Sequence, residues 1–540
     1  MGIKGLIFDF DGTIVSQHID FKRIFEEIHQ LLLSYDMKEP EKHLPILEYL
    51  DEVKKLNGKK AQKFLDEANR ILLKKEKQAS KKASPIKGVP EFLEELINRG
   101  FFVGIVTRNS RTVVEDILKN KKIPYHILLA REDVRKVKPH PSHIDEMRKK
   151  LHIKKSETMV VGDHPFDIIA ARKLPAVSCG VLSGGRKPDD FVNEGADFVY
   201  KDITYLKYFL GLSNLPEGKI DYQLLRYLIK KYCVLDKSVL TGPEIGIDAA
   251  LVKTTSQLLA LKIDPITLVS QDVGEYAVNV SANDIACMGA IPKWFFASVI
   301  LPSKARFPDI EKLFNDVSVA CRKLKIAWVG GHTEISSSVL EPVITGAMVG
   351  EKMSGIKQEK DIKEGDSLLL VKEVGIEGAS ILARKNASVR RKFPELAKKA
   401  FEAIKKPGIS VVNEAITAWK TVPVIRMHDP TEGGLTSGIV ELAEILQCGF
   451  IIEEEKIKIY KPAKIFCDYL GIDIYGLISS GCLLVVVPQN YAANLVSVYK
   501  NKKVPVSIIG VATKEKKVLL KRKDNSIREF SFAQDQIIGV

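Results

Sequence analysis

The sequence has 540 residues, too many for one ordinary hydrophobic core, so we expect at least two domains and three compact units in all. Its content of 45% hydrophobic and 28% charged residues is typical of a globular chain and excludes a disordered one. The net charge is +14. Much of the excess lies in residues 54–82, where lysines alternate with acidic residues and lack interleaved aromatic residues. We interpret this stretch as a solvated helix surface, with an RNA-binding face as the alternative.

The cysteines and the hydropathy pattern bear on the compartment. Seven scattered cysteines form no CxxC pair, which argues against a zinc site and a disulfide framework. No apolar run reaches 18 residues, and the first residues lead directly into a predicted strand without a signal-peptide layout. We therefore expect a cytoplasmic protein with no membrane partner.

The first predicted strand ends in two carboxylates. The apolar run 6–8 reads as a short buried strand, Asp9 and Asp11 follow it, and Gly12 and Thr13 begin a turn. A carboxylate at the end of a buried strand is costly unless something compensates its charge. In a parallel sheet this edge is where ligands bind, so the segment predicts a ligand site.

The next 200 residues alternate between helix and strand. Residues 18–84 read as charged amphipathic helices, and buried strands follow within 101–110, 125–130, 158–162 and 176–182, with helices between them. This alternation predicts an α/β fold, a doubly wound parallel sheet with helices on both faces.

Four polar groups of residues lie at the ends of these predicted strands. They are Asp9 with Asp11, Thr107, Lys138, and Asp163 with Asp167. Carboxylates on two strand ends together with a lysine and a hydroxyl suit a phosphate group bound with a divalent cation, since Mg²⁺ takes carboxylate oxygens. An aspartate can itself act as a nucleophile and form an aspartyl-phosphate.

Four motifs in the same order resemble the haloacid dehalogenase superfamily of phosphatases, in its phosphoglycolate-phosphatase-like branch. They are "DFDGT" (9–13), "VTRNS" (106–110), "KPHP" (138–141) and "GDHPFD" (162–167). The resemblance covers about residues 1–210 and implies a domain over 1–212 acting on a small phosphorylated metabolite. It implies that the helical segment, about 18–84, is a mobile cap that excludes water.

The resemblance also implies a role for each motif residue. Asp9 attacks phosphorus, and Asp11 protonates the leaving group and later activates water. Thr107 and Lys138 hold the phosphate. Mg²⁺ is bound by the carboxylates of Asp9, Asp11, Asp163 and Asp167, with Asp167 in a supporting role.

Structural interpretations of the same residues stay open. Thr107 and Asp167 could each cap a helix, and Asn109 is interpreted as a cap or turn residue rather than a ligand. His140 and His164 are interpreted as surface turn residues.

A second chemistry begins after the turn-rich stretch 211–221, within which we place a linker at 213–220. "GIDAALV" contains Asp248, and "KIDPIT" places Asp264 at a predicted strand end. A helix and then Asn283 and Asp284 follow. A later strand is predicted to end in paired glycines, Gly330 and Gly331. Acidic residues dispersed over strand ends suit a nucleotide site with several Mg²⁺ ions, and paired glycines let backbone N–H groups approach phosphate.

The same half resembles the aminoimidazole ribonucleotide synthetase-related superfamily, and within it the hydrogenase-maturation carbamoyl dehydratase. The matching segments run in the family's order from "GIDAALV" through "SANDIACMGAIPKW", "GGHTE" and "HDPTEGGL". The resemblance implies two α/β subdomains, 221–352 and 353–540, and a homodimer formed through strands of the first. It implies ATP near that interface, with Mg²⁺ on Asp248, Asp264 and Asp284 and with Asn283, Gly330 and Gly331 at the nucleotide or metal.

One departure from that family limits the function. The hydrogenase-maturation enzyme acts on a cysteine at its own C-terminus, whereas this sequence ends in "QDQIIGV" and its last cysteine is Cys482. We therefore expect a bifunctional enzyme, a phosphatase joined to an ATP-dependent phosphotransferase-like unit, without dehydration on its own tail. The alternative is a phosphatase whose second half senses ATP, or serves as a scaffold, without turnover.

Overall fold

The computed structural model describes residues 2–17, 19–40, 44–244, 249–266, 269, 271–359, 361–531 and 535–537. The chain folds into two compact units, Met1–Ser213 and Asn214–Val540. Within the described ranges, no helix combines the length and the apolar character needed to cross a membrane.

The first unit is built on a six-stranded parallel sheet with helices around it. Its strands are β1 Gly5–Phe8, β2 Val15–Ser16, β3 Ser84–Pro85, β4 Phe102–Val106, β5 Ile127–Leu129, β6 Thr158–Gly162, β7 Val177–Val181 and β8 Phe198–Tyr200. Its α-helices are α1 Phe21–Ser34, α2 Ile46–Asn57, α3 Gln62–Ser80, α4 Val89–Asn98, α5 Arg111–Asn120, α6 Ser142–Lys150, α7 Pro165–Lys173, α8 Pro188–Val192 and α9 Leu206–Phe209.

The strand order in this sheet is β5-β4-β1-β6-β7-β8. All four residues of β1 are buried, as a strand covered on both faces requires, and β1 pairs in parallel with β4 and β6. The chain goes to one side of β1 for β4 and to the other for β6. This reversal is a topological switch point, where open α/β sheets bind their ligands. The doubly wound parallel sheet predicted from the sequence is confirmed.

Helices α1, α2 and α3 form a separate layer with its own apolar core, in which Tyr49 and Phe64 are fully buried. The chain enters and leaves this layer through the antiparallel pair β2–β3. We call α1–α3 the helical cap.

The first subdomain of the second unit has a mixed five-stranded sheet in the order β12-β15-β13-β14-β9. Its strands are β9 Gly218–Lys219, β10 Val239–Thr241, β11 Leu251–Val252, β12 Leu259–Ile266, β13 Ala290–Pro302, β14 Ala327–Ser336 and β15 Val343–Lys352. Its helices are α10 Tyr222–Tyr232, α11 Val273–Cys287 and α12 Phe307–Leu324. Strand β9 lies in the stretch predicted as a linker and pairs with β14.

The second subdomain has a seven-stranded sheet in the order β17-β19-β16-β20-β18-β21-β22. Its strands are β16 Ser367–Val371, β17 Arg426–His428, β18 Gly449–Glu453, β19 Leu483–Val487, β20 Val506–Thr513, β21 Val518–Lys521 and β22 Ile527–Phe530. Its helices are α13 Ile376–Lys385, α14 Ala387–Lys392, α15 Pro394–Glu402, α16 Val412–Thr421, α17 Gly434–Leu446, α18 Lys461–Leu470 and α19 Gln489–Asn501. The predicted α/β character of this half is also confirmed.

Local predictions in the second unit need correction. Asp264 lies inside β12 rather than at its end, and Asn283 and Asp284 lie in the last turn of α11 rather than after it. Gly330 and Gly331 lie within β14, which continues to Ser336. Here β14 passes so close to β13 that a Cβ on Gly331 would lie 2.2 Å from the Ala297 oxygen. Close strand packing therefore requires a glycine at position 331.

Candidate active sites of the two units

The carboxyl end of β1 brings Asp9 and Asp11 to the switch point of the first sheet. The Asp9 N–H donates to the Val161 oxygen at 2.8 Å, which extends the β1–β6 pairing by one residue and fixes the start of the turn. Gly12 has a φ of 70°, and a Cβ there would lie 2.3 Å from an Asp163 oxygen. A glycine at this position therefore serves both the turn and the close approach of Asp163.

Lys138 forms the electrostatic centre of this site. Its ammonium donates to Asp9 Oδ1 at 2.6 Å and also to Asp167 Oδ1, and its side chain is only 2% exposed. Burial lowers the pKa of Lys138, but the neighbouring Asp167 and Asp9 raise it by more than burial lowers it. The net shift of the pKa is therefore upward, and the group stays charged. The lysine predicted to hold phosphate thus also compensates two buried carboxylates.

Three carboxylates of this site could hold a metal ion. Oxygens of Asp9, Asp163 and Asp167 lie within 4.8 Å of one another, and among the described residues they form the one group of that kind. Burial raises the pKa of Asp163, and the neighbouring Asp9 raises it further, because a single lysine does not balance three carboxylates. A Cβ on Gly184 would lie 1.8 Å from an Asp163 oxygen, so the chain leaves room for this carboxylate. Hard oxygens with excess negative charge fit Mg²⁺.

Asp11 stands apart from that group. Its carboxylate accepts hydrogen bonds from the amides of Asn109 and Gln17. Burial, followed by repulsion from Asp9, raises the pKa of Asp11 to about 8. A carboxyl group with that pKa is protonated at neutral pH and can donate a proton. Asn109, which the sequence predicted to be a cap or turn residue, therefore positions Asp11.

Thr107 follows β4 and is fully buried. Its hydroxyl oxygen accepts the Asn109 N–H at 3.1 Å, so the side chain shapes the turn that directs Asn109 toward Asp11. The hydroxyl hydrogen remains available to a ligand oxygen. Ser110 rather than Thr107 is the N-cap of α5, so the helix-cap interpretation of Thr107 is wrong, whereas the role of phosphate donor is compatible with this geometry.

Asp167 and His164 organise the start of α7. The Asp167 Oδ2 accepts the His164 N–H at 3.2 Å while its other oxygen accepts Lys138, so this residue both caps the helix and joins the charged group. His164 accepts the Phe166 N–H and is half-buried, which corrects its interpretation as a surface turn residue. Burial lowers the pKa of His164 to about 4, so this ring is neutral at physiological pH.

Two ion pairs hold the helical cap against the sheet edge. The Arg108 guanidinium makes a bidentate pair with Glu48 of α2, at 2.7 and 2.6 Å. Arg131 pairs with Glu76 of α3, which is 1% exposed and also accepts the Ser110 N–H. Sequence reasoning missed all four side chains, although Arg108 lies within the motif "VTRNS".

The second unit brings two of its predicted metal ligands together. Asp264 and Asp284 both pair with Lys262, whose Nζ lies 2.8 Å from Asp284 Oδ2 and 3.3 Å from Asp264 Oδ2. Asp429, next to β17, is 1% exposed and borders Asp284. Burial, followed by Asp284, raises the pKa of Asp429 well above its usual value. Sequence reasoning did not assign Lys262 to this site.

The remaining predicted residues of this half lie elsewhere. The amide of Asn283 donates to the Ile409 oxygen at 3.0 Å and its oxygen accepts the Val411 N–H at 2.8 Å, so this buried side chain joins α11 to the second subdomain. Gly330 and Gly331 line an apolar cavity of about 770 Å³. Asp248 lies outside the described residues.

The family models that match this chain fall separately in its two units. A haloacid dehalogenase-like hydrolase model matches residues 6–181. Models of the N-terminal and C-terminal domains of AIR synthase related proteins match 246–352 and 363–522. The chain thus combines a region similar to haloacid dehalogenase-like hydrolases with a region similar to both domains of AIR synthase related proteins. The resemblances drawn from the sequence motifs are confirmed.

Several of the similar proteins are named for hydrogenase maturation. A protein of Methanocaldococcus jannaschii named for hydrogenase expression and formation is 27% identical over 312 residues, covering 56% of this chain and 90% of the relative. The carbamoyl dehydratase HypE of Azotobacter vinelandii is 27% identical over 238 residues, covering 43% and 67%. The crystal structure of HypE from E. coli, a hydrogenase maturation protein, is similar in fold with a TM-score of 0.51, at 21% identity, covering 59% and 98%.

Proposed function

We propose that the first unit is a Mg²⁺-dependent phosphomonoester hydrolase that works through an aspartyl-phosphate. The observation that carries the proposal is the arrangement around Lys138. One buried ammonium contacts Asp9 and Asp167 with Asp163 beside them, while Asp11 is held separately with a raised pKa. Two carboxyl groups at the same strand end, one paired with a buried ammonium and the other with a raised pKa, can divide the work of nucleophile and acid.

The proposed reaction has two steps. A carboxylate oxygen of Asp9 attacks phosphorus, the bond from phosphorus to the ester oxygen breaks, and Asp11 gives its proton to the departing alcohol. A water molecule then attacks the phosphorus of the aspartyl-phosphate and loses a proton to Asp11. The phosphate leaves, and Asp9 is regenerated as a carboxylate.

The surrounding groups support this chemistry. Mg²⁺, held by Asp9, Asp163 and Asp167, would supply positive charge to the phosphate oxygens. Lys138 and the Thr107 hydroxyl would hold those oxygens as well, as fixed donors in a buried site. The substrate we propose is a small phosphorylated metabolite, since the closed helical cap would exclude water around it.

The test is the substitution Asp9→Asn in the full-length protein, assayed with a generic phosphomonoester and Mg²⁺. The amide keeps the shape of the side chain but not its nucleophilicity, so we expect hydrolysis to fall below a few per cent of wild type. Asp116→Asn, on the exposed surface of α5, is the matched control and should keep full activity. Substantial hydrolysis by the Asp9 variant would remove this residue from its role.

For the second unit, we propose an ATP-dependent phosphotransferase-like activity with Mg-ATP near Asp264 and Asp284. Relatedness to HypE supports this proposal, as does the convergence of the two carboxylates. We also propose a homodimer formed through the first subdomain. The edge strand β12 exposes Leu259, Leu261 and Ile263 on one face, and an exposed apolar edge of this kind favours pairing with another chain.

Calorimetry with ATP, with and without Mg²⁺, tests the nucleotide site. Asp284→Ala should lower the affinity for Mg-ATP at least tenfold, about 1.4 kcal/mol, and leave the phosphatase rate unchanged. Equal affinity in both proteins would place the metal elsewhere. ATP binding without ADP release in the presence of metabolite pools would favour the alternative, a sensing or scaffold module.

A further inference from the structure

Strand periodicity places a lysine among the acidic side chains of the second unit. Successive residues of a strand point to opposite faces, so Lys262 and Asp264 share one face of β12 while Leu261 and Ile263 share the other. The burial pattern of β12 alternates accordingly along its whole length. Asp284 reaches the same place from the last turn of α11. One ammonium thus lies within ion-pair distance of both carboxylates.

The geometry of this group leaves one carboxylate oxygen without a partner. Asp429 Oδ2 is buried and has no hydrogen-bond partner among the described residues, while Oδ1 is 3.7 Å from the Cys287 sulfur. The neighbouring pocket, of about 360 Å³, is lined by Lys262 and Asp284. A buried, unpaired oxygen beside two paired carboxylates marks a place suited to a further cation.

We propose that Lys262 is a built-in counter-cation that occupies the position between Asp264 and Asp284 and competes there with a divalent metal ion. The inference rests on the proposed Mg-ATP site and deepens it. Lys262 and a divalent cation would repel each other at this distance, so the lysine must leave the carboxylates when the metal enters. The side chains of Lys262, Asp264 and Asp284 are about one-quarter to one-third exposed, so the ammonium can move outward into solvent.

A consequence is coupling between metal and nucleotide. The metal alone must displace the lysine without compensation, so it binds weakly. When ATP arrives with the metal, the displaced ammonium gains phosphate oxygens as new partners. Lys262 thereby favours joint binding of nucleotide and metal over binding of the metal alone.

The test measures Mn²⁺ binding, without nucleotide, by calorimetry on the full-length protein. The variants are made in an Asp9→Asn/Asp163→Asn background, which removes the carboxylate site of the first unit. The measured Mn²⁺ binding then comes from the second unit. Lys262→Met should tighten Mn²⁺ binding at least tenfold. Lys262→Gln should have the same effect, and it replaces the methionine variant if the apolar side chain perturbs folding. Lys521→Met, which removes one exposed charge from β21, should leave Mn²⁺ affinity unchanged.

Mn²⁺ affinity that is unchanged or weaker in both Lys262 variants overturns the inference. An equal gain in the Lys521 variant also overturns it, since net charge would then explain the effect. Titration with ATP and Mg²⁺ separates this result from the proposed function. Tighter Mn²⁺ binding without any ATP binding would refute the nucleotide site and leave the role of Lys262 intact.

Discussion

Replacing Lys138 by methionine should destabilise the first unit strongly in the absence of divalent cations. The substitution keeps the length and apolar stem of the side chain but removes the ammonium between Asp9 and Asp167. The side chains of Lys138 and Asp167 are 2% and 1% exposed, so water cannot replace the lost partner. Removing one partner of a buried ion pair typically costs about 3–5 kcal/mol. For a unit of this size, that corresponds to a melting midpoint lower by about 6–20 °C.

Hydrogen exchange in peptides from β1 and α7 of the full-length protein would measure this effect in the first unit alone. The double variant Lys138→Met/Asp167→Asn should recover about half of the loss, because one of the two carboxylates that contact the ammonium is then replaced by a neutral amide. Added Mg²⁺ should also restore protection in the single variant. A loss below about 1 kcal/mol in a metal chelator, or no recovery in the double variant, would refute the view that Lys138 is the main compensating charge.

Two further predictions concern the cap and the acid. Glu48→Gln should increase hydrogen exchange in α2. A double-mutant cycle with Arg108→Gln should give a coupling free energy of about 1 kcal/mol, since the pair is bidentate but partly exposed. A coupling free energy near zero would show that this pair does not hold the cap. The folded pKa of Asp11 lies above its unfolded value, so its contribution to stability is complete below about pH 4 and is lost as the pH rises through about 8. In a metal chelator the first unit should therefore be less stable at pH 8.5 than at pH 5.5, and Asp11→Asn should reduce that difference in denaturant titrations followed by exchange.

The carboxylate end of the first sheet could be predicted because its signals are local. A short apolar run followed directly by Asp9 specifies both the strand and the charge at its end. Parallel strands place their carboxyl ends on one edge, so Thr107 and Asp163 were expected near Asp9 once β4 and β6 were recognised. The alternation of short strands and helices carried the rest of the fold.

The contacts of the cap could not be predicted in this way. Glu48 and Arg108 are separated by 60 residues, and Glu76 and Arg131 by 55. Any of the cap's many charged side chains could have faced the site, because a charged amphipathic helix shows which face is polar but not which polar residue finds a partner.

The two lysines show where sequence reasoning reaches its limit. Lys138 meets Asp9 across 129 residues of chain. Its place after a predicted strand and in the family motif indicated a site residue, but not which carboxylates it would contact. Lys262 is two residues from Asp264 on a strand, so the period of two alone would have placed the pair on one face. Lys262 was missed because the acidic residues were considered only as metal ligands. The basic residues that could already balance their charge were not considered. In both units a lysine of the chain already balances part of the negative charge of these carboxylates.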